Sequence, residues 1–291
     1  MQKRSVVNSP GIRELKRKRH KAFKKKVIIS LVIFVLFLIT LSFCFRIKKF
    51  NISTIEVSGN IVVDTKSIEN IVKENLNGNY LLILPKTNFL IYPKNNIFKE
   101  LSSKYKRLKS ISINVRNFNT LEISVKEYEG KYLYCGENVL SIDTSTESKC
   151  YFVDSDGYVF DQAPFFSGDV YFKFFGQIEN TNNVPSGNYF NSNYFNNLSQ
   201  FKESLEKLNF KPISMYVDNK TGEVDVKLST KGINLNNPHI MFKLDADYEK
   251  ITENLETAVA NEPLQTKLKN NYSSFSYIDL RFGNKVYYKF Q

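Results

Sequence analysis

From Val27 to Phe45 the chain reads VIISLVIFVLFLITLSFCF, nineteen residues without a charge. As a helix rising about 1.5 Å per residue this segment spans roughly 28 Å, close to the ~30 Å hydrocarbon thickness of a bilayer. Ser30, Thr40 and Ser42 are its hydroxyls, and each can bond back to its own helix backbone. Beyond residue 46 the pattern breaks into short apolar runs of period two, interrupted by stretches with helical spacing.

In the first of these stretches, Ile55 and Val57 alternate with polar residues and predict a strand within 51–58. Gly59-Asn60 turns the chain, and Asp64 or Thr65 can cap a helix that carries Ile68, Ile71, Val72 and Leu76 on one face, ending near Asn77-Gly78. The apolar run from Tyr80 to Leu84 is expected to be buried. Pro93 sits at the start of a second helix with Ile97, Leu101 and Tyr105 at four-residue spacing. Two strands follow, one through Ile111, Ile113 and Val115, the next through Leu121, Ile123 and Val125. The order strand, helix, helix, strand, strand predicts a small open sheet with both helices on one face, closing near residue 129.

From residue 130 the pattern is mostly that of strands. Residues 131–135 and 149–164 read as strands, the latter folded at Asp156-Gly157, a strong hairpin signal between alternating apolar runs. Further strands are expected at 170–176, 213–217, 223–229 and 240–244. A helix at about 193–208 carries Leu198, Phe201, Leu205 and Leu208, and a longer one at about 248–269 has a possible interruption at Pro263. The chain closes on FSYIDLRFGNKVYYKFQ, two strands joined at Gly283-Asn284. Residues 177–196, rich in Asn, Ser and Gly, are the expected mobile loop. The fold class is therefore α+β: a basic tail (1–26), an apolar helix (27–45), a first domain (46–129) and a mostly β domain with two helices (130–291).

Charge changes the picture only at the beginning. The net charge is +12, but residues 1–26 hold eleven basic side chains against Glu14, leaving 30 basic and 28 acidic groups for the rest of the chain. A general nucleic-acid surface is not supported over the bulk of the protein. The tail's cations set topology against anionic headgroups or meet a cytoplasmic partner. Their excess over Arg46, Lys48 and Lys49 on the other flank keeps the N-terminus cytoplasmic and exports everything after residue 46. A cleaved signal peptide is the rival reading, but Phe43-Cys44-Phe45 places bulky rings where a small-x-small site is needed.

The stretches ISTIEVSGN (52–60), NYLLILPKTNFLIYP (79–93) and LKSISINVRNFNTLEISVKEYEG (108–130) resemble the POTRA module, and more narrowly the membrane-proximal POTRA of FtsQ/DivIB-type bacterial cell-division proteins. The blocks CYFVDSDGYVF (150–160) and YIDLRFGNKVYYK (277–289) resemble the β domain of the same family, whose layout is also a basic tail, one span and a POTRA directly outside. This resemblance implies a non-enzymatic bitopic scaffold in the plasma (inner) membrane at the division septum. It implies FtsB/DivIC-like and FtsL-like bitopic partners bound at the C-terminal strand region, other division proteins gathered through the POTRA, and no cofactor.

The residues bear on that expectation. Lys285, Val286, Tyr287, Tyr288, Lys289 and Phe290 form a last strand with no successor, an edge that can template another chain's strand or be shielded by its two lysines and bind nothing. The resemblance favours the partner reading, with Tyr277, exposed by the alternation of the preceding strand, as an anchor at the rim. Three Cys and two His give almost nothing from which to build a Cys/His metal site, and no metal site is expected. His239, the one histidine past residue 46, is expected to be an ordinary loop or strand-edge residue. Asp154-Ser155-Asp156-Gly157 has Phe152 and Ala163 where a calcium loop needs oxygen ligands, so a hairpin turn is favoured. Cys135 and Cys150 either form a disulfide or remain two separate thiols. The alternatives to a division scaffold are a POTRA-bearing scaffold of another envelope export or assembly pathway and a membrane-anchored cell-wall enzyme. The second lacks a legible nucleophile and base.

Overall fold

The computed structural model describes residues 10–81, 83–137, 149–178, 184–229 and 237–291. The expected loop at 177–196 and the run from Tyr80 to Leu84 thus fall partly outside the described residues. Chain contacts divide the protein into two units, the first comprising residues up to Lys104 together with Ser110–Lys126, the second Tyr105–Lys109 and Glu127–Gln291. The division near Glu127 lies close to the expected boundary, and the transfer of Tyr105–Lys109 to the second unit has no sequence signal.

In the first unit, α1 (Pro10–Phe45) is a single 36-residue helix. Its segment Glu14–Phe45 is long and apolar enough to cross a membrane, as a span or a signal anchor. The helix begins well before Val27 because the basic stretch is itself built from good helix formers, led by Pro10 at its first position. Past α1, β1 (Thr54–Ser58) leads to α2 (Thr65–Leu76), whose N-cap Asp64 accepts from the Ser67 backbone N–H and which buries Ile68, Ile71, Val72 and Leu76. Then come a short hairpin of β2 (Asn79–Tyr80) and β3 (Leu84–Pro85), α3 (Lys94–Lys104), β4 (Leu108–Arg116) and β5 (Thr120–Glu127). The larger sheet runs β1-β5-β4, with β1 parallel to β5 from Thr54↔Thr120 to Ser58↔Ser124. Ile97 and Leu101 of α3 join the α2 residues, Ile113, Leu121 and Ile123 in the buried core.

The junction between α1 and this sheet is closed by side chains. The C-terminal carbonyls of a helix have no partner within it. Here the Phe45 carbonyl accepts from Asn51 Nδ2 (2.9 Å) and from Asn88 Nδ2 (3.2 Å), and Asn88 is buried. Asn51 also reaches the Ile47 carbonyl at 2.8 Å. The helix therefore enters the domain without a tether.

One expectation fails in this unit. The described residues of the Tyr80–Leu84 run lie in an open hairpin rather than in the core: Leu81 is 87% exposed, with Tyr80 and Ile83 also exposed. The sequence shows an apolar run but not which medium surrounds it.

The second unit is organised by one ten-stranded sheet of order β10-β8-β7-β6-β9-β11-β12-β13-β14-β15. Its strands are β6 (Tyr132–Tyr134), β7 (Tyr151–Val153), β8 (Tyr158–Gln162), β9 (Lys173–Gly176), β10 (Asn188–Tyr189), β11 (Pro212–Asp218), β12 (Glu223–Leu228), β13 (His239–Lys243), β14 (Phe275–Phe282) and β15 (Lys285–Phe290). Against one face pack α4 (Phe195–Lys207), α5 (Tyr248–Ala260) and α6 (Leu264–Asn270); Pro263 separates α5 and α6 into two helices where one interrupted helix was expected. Phe174, fully buried on β9, lies 5.0–5.5 Å by ring centroids from Phe172, Phe195, Tyr132 and Phe190. Burial of rings this large supplies much of the folding drive. β10 is too short to leave a periodic trace.

Candidate partner-binding edge

The last two strands are joined by a turn in which Gly283 takes φ +65°, the left-handed region that glycine enters without strain. β14 and β15 pair antiparallel through Ile278↔Tyr288 and Asp279↔Tyr287, with irregularities between Phe275 and Tyr277 and between Asp279 and Phe282. Among the described residues β15 has no neighbour beyond β14, so it ends the sheet with six residues, against two in β10 at the opposite edge.

The backbone polarity of that edge follows from one bond. Gln291 N–H donates to the Ser274 carbonyl at 2.7 Å, immediately outside the Phe275↔Phe290 pair. In an antiparallel ladder that pattern marks a pair whose own N–H and C=O groups point away from each other. Phe290 therefore aims its N–H at the open side, and Tyr288, two residues earlier, does the same.

The two faces of β15 differ. Val286, Tyr288 and Phe290 are half-buried on the helix-covered face and pack against the core. Lys285, Tyr287 and Lys289 are exposed on the other. On the helix side a groove of about 490 Å³ runs beside the strand, lined by Asn254, Ala258, Pro263, Leu264, Val286 and Tyr288 among others. Asn254 Nδ2 bonds the Gly283 carbonyl at 3.2 Å, fixing α5 to the hairpin turn, and Lys267 Nζ stands 5.9 Å over the Tyr288 ring.

The open face carries a charge network that sequence reading missed. Arg281 grips Asp279 through Nε (2.9 Å) and Nη2 (2.6 Å) and reaches Glu223 through Nη1 at 3.1 Å, while Lys243 reaches the same Glu223 oxygen at 3.0 Å. The bond to Asp279 leads the effects that push the Arg281 guanidinium further up from its ordinary pKa. Burial alone would raise the Asp279 carboxyl, but the hydrogen bonds from Arg281 outweigh it and the net shift is downward. Glu223 is also lowered, first by its bond to Lys243.

These bonds explain two departures from the expected alternation on β14. Asp279 is buried beneath Arg281, and Phe282 is 56% exposed, because the irregularity before the turn reverses its side. Phe282 packs edge-on to Tyr287 at 5.3 Å, so the hairpin tip presents two exposed rings. The signal for Phe282 was its position directly before Gly283. Tyr277 is half-buried rather than exposed, since the irregularity at Phe275/Tyr277 shifts its register.

The remaining candidates take structural places. Cys135 and Cys150 are bonded Sγ to Sγ at 2.08 Å, one step beyond the Tyr134↔Tyr151 pair. Asp154 Oδ1 accepts from the Asp156 and Tyr158 backbone N–H groups, both at 2.9 Å, and so holds the β7–β8 turn. His239 opens β13, an interior strand of the sheet, with Nδ1 2.8 Å from Asp225 Oδ1. Among the described residues no group of three or more His, Cys, Asp or Glu is placed to hold a metal ion.

Comparison with protein-family models finds no match to this chain, and comparison with curated proteins finds no relative.

Proposed function

We propose that this chain is a non-enzymatic, single-pass scaffold of the bacterial division septum, of the FtsQ/DivIB kind. α1 spans the plasma membrane with its basic end inside, and both folded units stand outside. The chain's first unit acts as a POTRA-like module, and β15 captures a strand from FtsB/DivIC-like and FtsL-like partners.

The observation that carries this reading is the free edge of β15, with outward N–H groups, a groove along its helix side and two exposed rings at its tip. In such strand addition, main-chain bonds supply affinity and alternate side-chain pockets supply selectivity. The main-sheet strands and helices of the first unit, which run β1-α2-α3-β4-β5 around the small β2–β3 hairpin, and the long apolar helix before them support the same reading.

A fluorescent fusion followed through one division cycle, with co-purification of the two small partners, tests it. Concentration at the septum and recovery of both partners are expected. Uniform membrane distribution, or recovery unaffected when the β15 edge is blocked, would refute it.

A further inference from the structure

The hairpin between α2 and α3 leaves Tyr80, Leu81 and Ile83 exposed. Asn79↔Pro85 and Tyr80↔Leu84 pair, and Leu81 sits at the tip with φ +49°, a region bulky aliphatic residues avoid. Leu81 is 87% exposed and Ile83 40%. A turn facing water is normally built from Gly, Asn or Asp, and this one is not.

Its surroundings say what covers it. Between Glu14 and Phe45 every residue of α1 is exposed except Leu38, Leu41, Ser42 and Phe45, a single stripe at helical spacing. α1 and β3 are in contact, and Ser42 Oγ donates to the Ile83 carbonyl at 3.2 Å. The stripe reaches back about 10 Å from the end of α1 at 1.5 Å per residue. The hairpin thus lies alongside the last two turns of the apolar helix rather than beyond them. The Asn51 and Asn88 bonds to Phe45 hold it there.

A collar of a different kind surrounds this point. Arg46, Lys48 and Lys49 follow the helix directly, and Lys86 Nζ stands 5.8 Å over the Tyr80 ring. Phe50, Phe89 and Phe118 form a ring cluster with centroids 5.0–6.0 Å apart, and Phe118 is held half in the open at φ +64°. Cations beside an amphipathic Tyr ring, next to exposed apolar side chains, match a membrane–water boundary.

We propose that Tyr80, Leu81 and Ile83 are embedded in the leaflet at the C-terminal end of α1, with Arg46, Lys48, Lys49 and Lys86 at the level of the lipid phosphates. The hairpin is a second, shallow membrane contact beside the span, of the interfacial kind. This inference rests on reading α1 as a membrane span.

The chain contains no tryptophan, so one substitution gives a protein with a single tryptophan, excited at the red edge apart from the tyrosines. Full-length Leu81→Trp, Phe34→Trp and Phe165→Trp proteins are reconstituted in phosphatidylcholine–phosphatidylglycerol vesicles without bromine, with bromine near the top of the acyl chains, or with bromine near the chain ends. Phe34 lies within the apolar helix, and Phe165, 94% exposed in the second unit, is the aqueous reference. Leu81→Trp is expected to emit to the blue of Phe165→Trp and to lose most of its emission to brominated lipid. Emission like that of Phe165→Trp, with Phe34→Trp quenched, would overturn the hairpin inference and leave the span standing. A Phe34→Trp protein quenched by bromine at neither depth would overturn both. Tyr80→Trp reads the same depth if Leu81→Trp does not fold.

Discussion

Replacing Tyr288 by alanine and, separately, by proline separates the backbone of β15 from its side chain. Both substitutions remove the same ring from the core edge and from beneath Lys267. Only proline removes the N–H that points to the open side, and because this N–H makes no bond to β14, an edge strand tolerates its loss. The two variants should therefore unfold within about 1 kcal/mol of each other, both somewhat below the parent, as expected for loss of a half-buried aromatic ring. Partner affinity should separate them. One missing intermolecular hydrogen bond, with poorer approach of its neighbour, costs about 1–2 kcal/mol, or roughly 5- to 30-fold in Kd. The measurement is titration of the purified partner ectodomains against each full-length variant, beside a thermal melt. Equal Kd values for the alanine and proline variants would show that the β15 backbone is not the docking element.

Two further outcomes follow from the second unit. Replacing both Cys135 and Cys150 by serine opens a loop of 15 residues and should cost about 3 kcal/mol, read as a lower unfolding midpoint that the parent reproduces on reduction; an unchanged midpoint would contradict it. Because the Asp279 and Glu223 carboxyls are shifted down in the folded protein, their contribution is complete above the ordinary carboxylate range near ~4 and is lost as pH falls through their lowered values. Arg281→Gln should flatten the acid limb of stability against pH, with no effect on that limb refuting the assignment.

Much of this architecture can be read from periodicity because local and tertiary preferences agree. Asp64 followed by Ile68, Ile71, Val72 and Leu76 specifies α2, and Asp156-Gly157 specifies the β7–β8 turn, since each residue's own chemistry satisfies its place in the fold. β15 was legible as a strand from its alternation, and among the described residues it lies at the edge of the sheet. What was not legible depends on geometry outside the local pattern. The reversed side of Phe282 comes from a ladder irregularity, and the burial of Asp279 from a four-group ion cluster that draws on β12 and β13, far away in sequence. The exposure of Tyr80, Leu81 and Ile83 was not legible because hydrophobicity alone does not tell whether an apolar run packs inside the protein or stands on its surface. The continuity of α1 through the basic tail was hidden because charge and helix propensity were read as separate signals.

The Asn51 and Asn88 clamp on the end of α1 has a mechanical corollary. With no swivel between rod and sheet, turning the rod about its long axis swings the first unit like a rudder on its post. On the proposed reading of α1 as a membrane span, a neighbour that grips it thereby steers which way the first unit's strand edges face. The bearing of that surface is then set through α1, and severing the two amide contacts would loosen it.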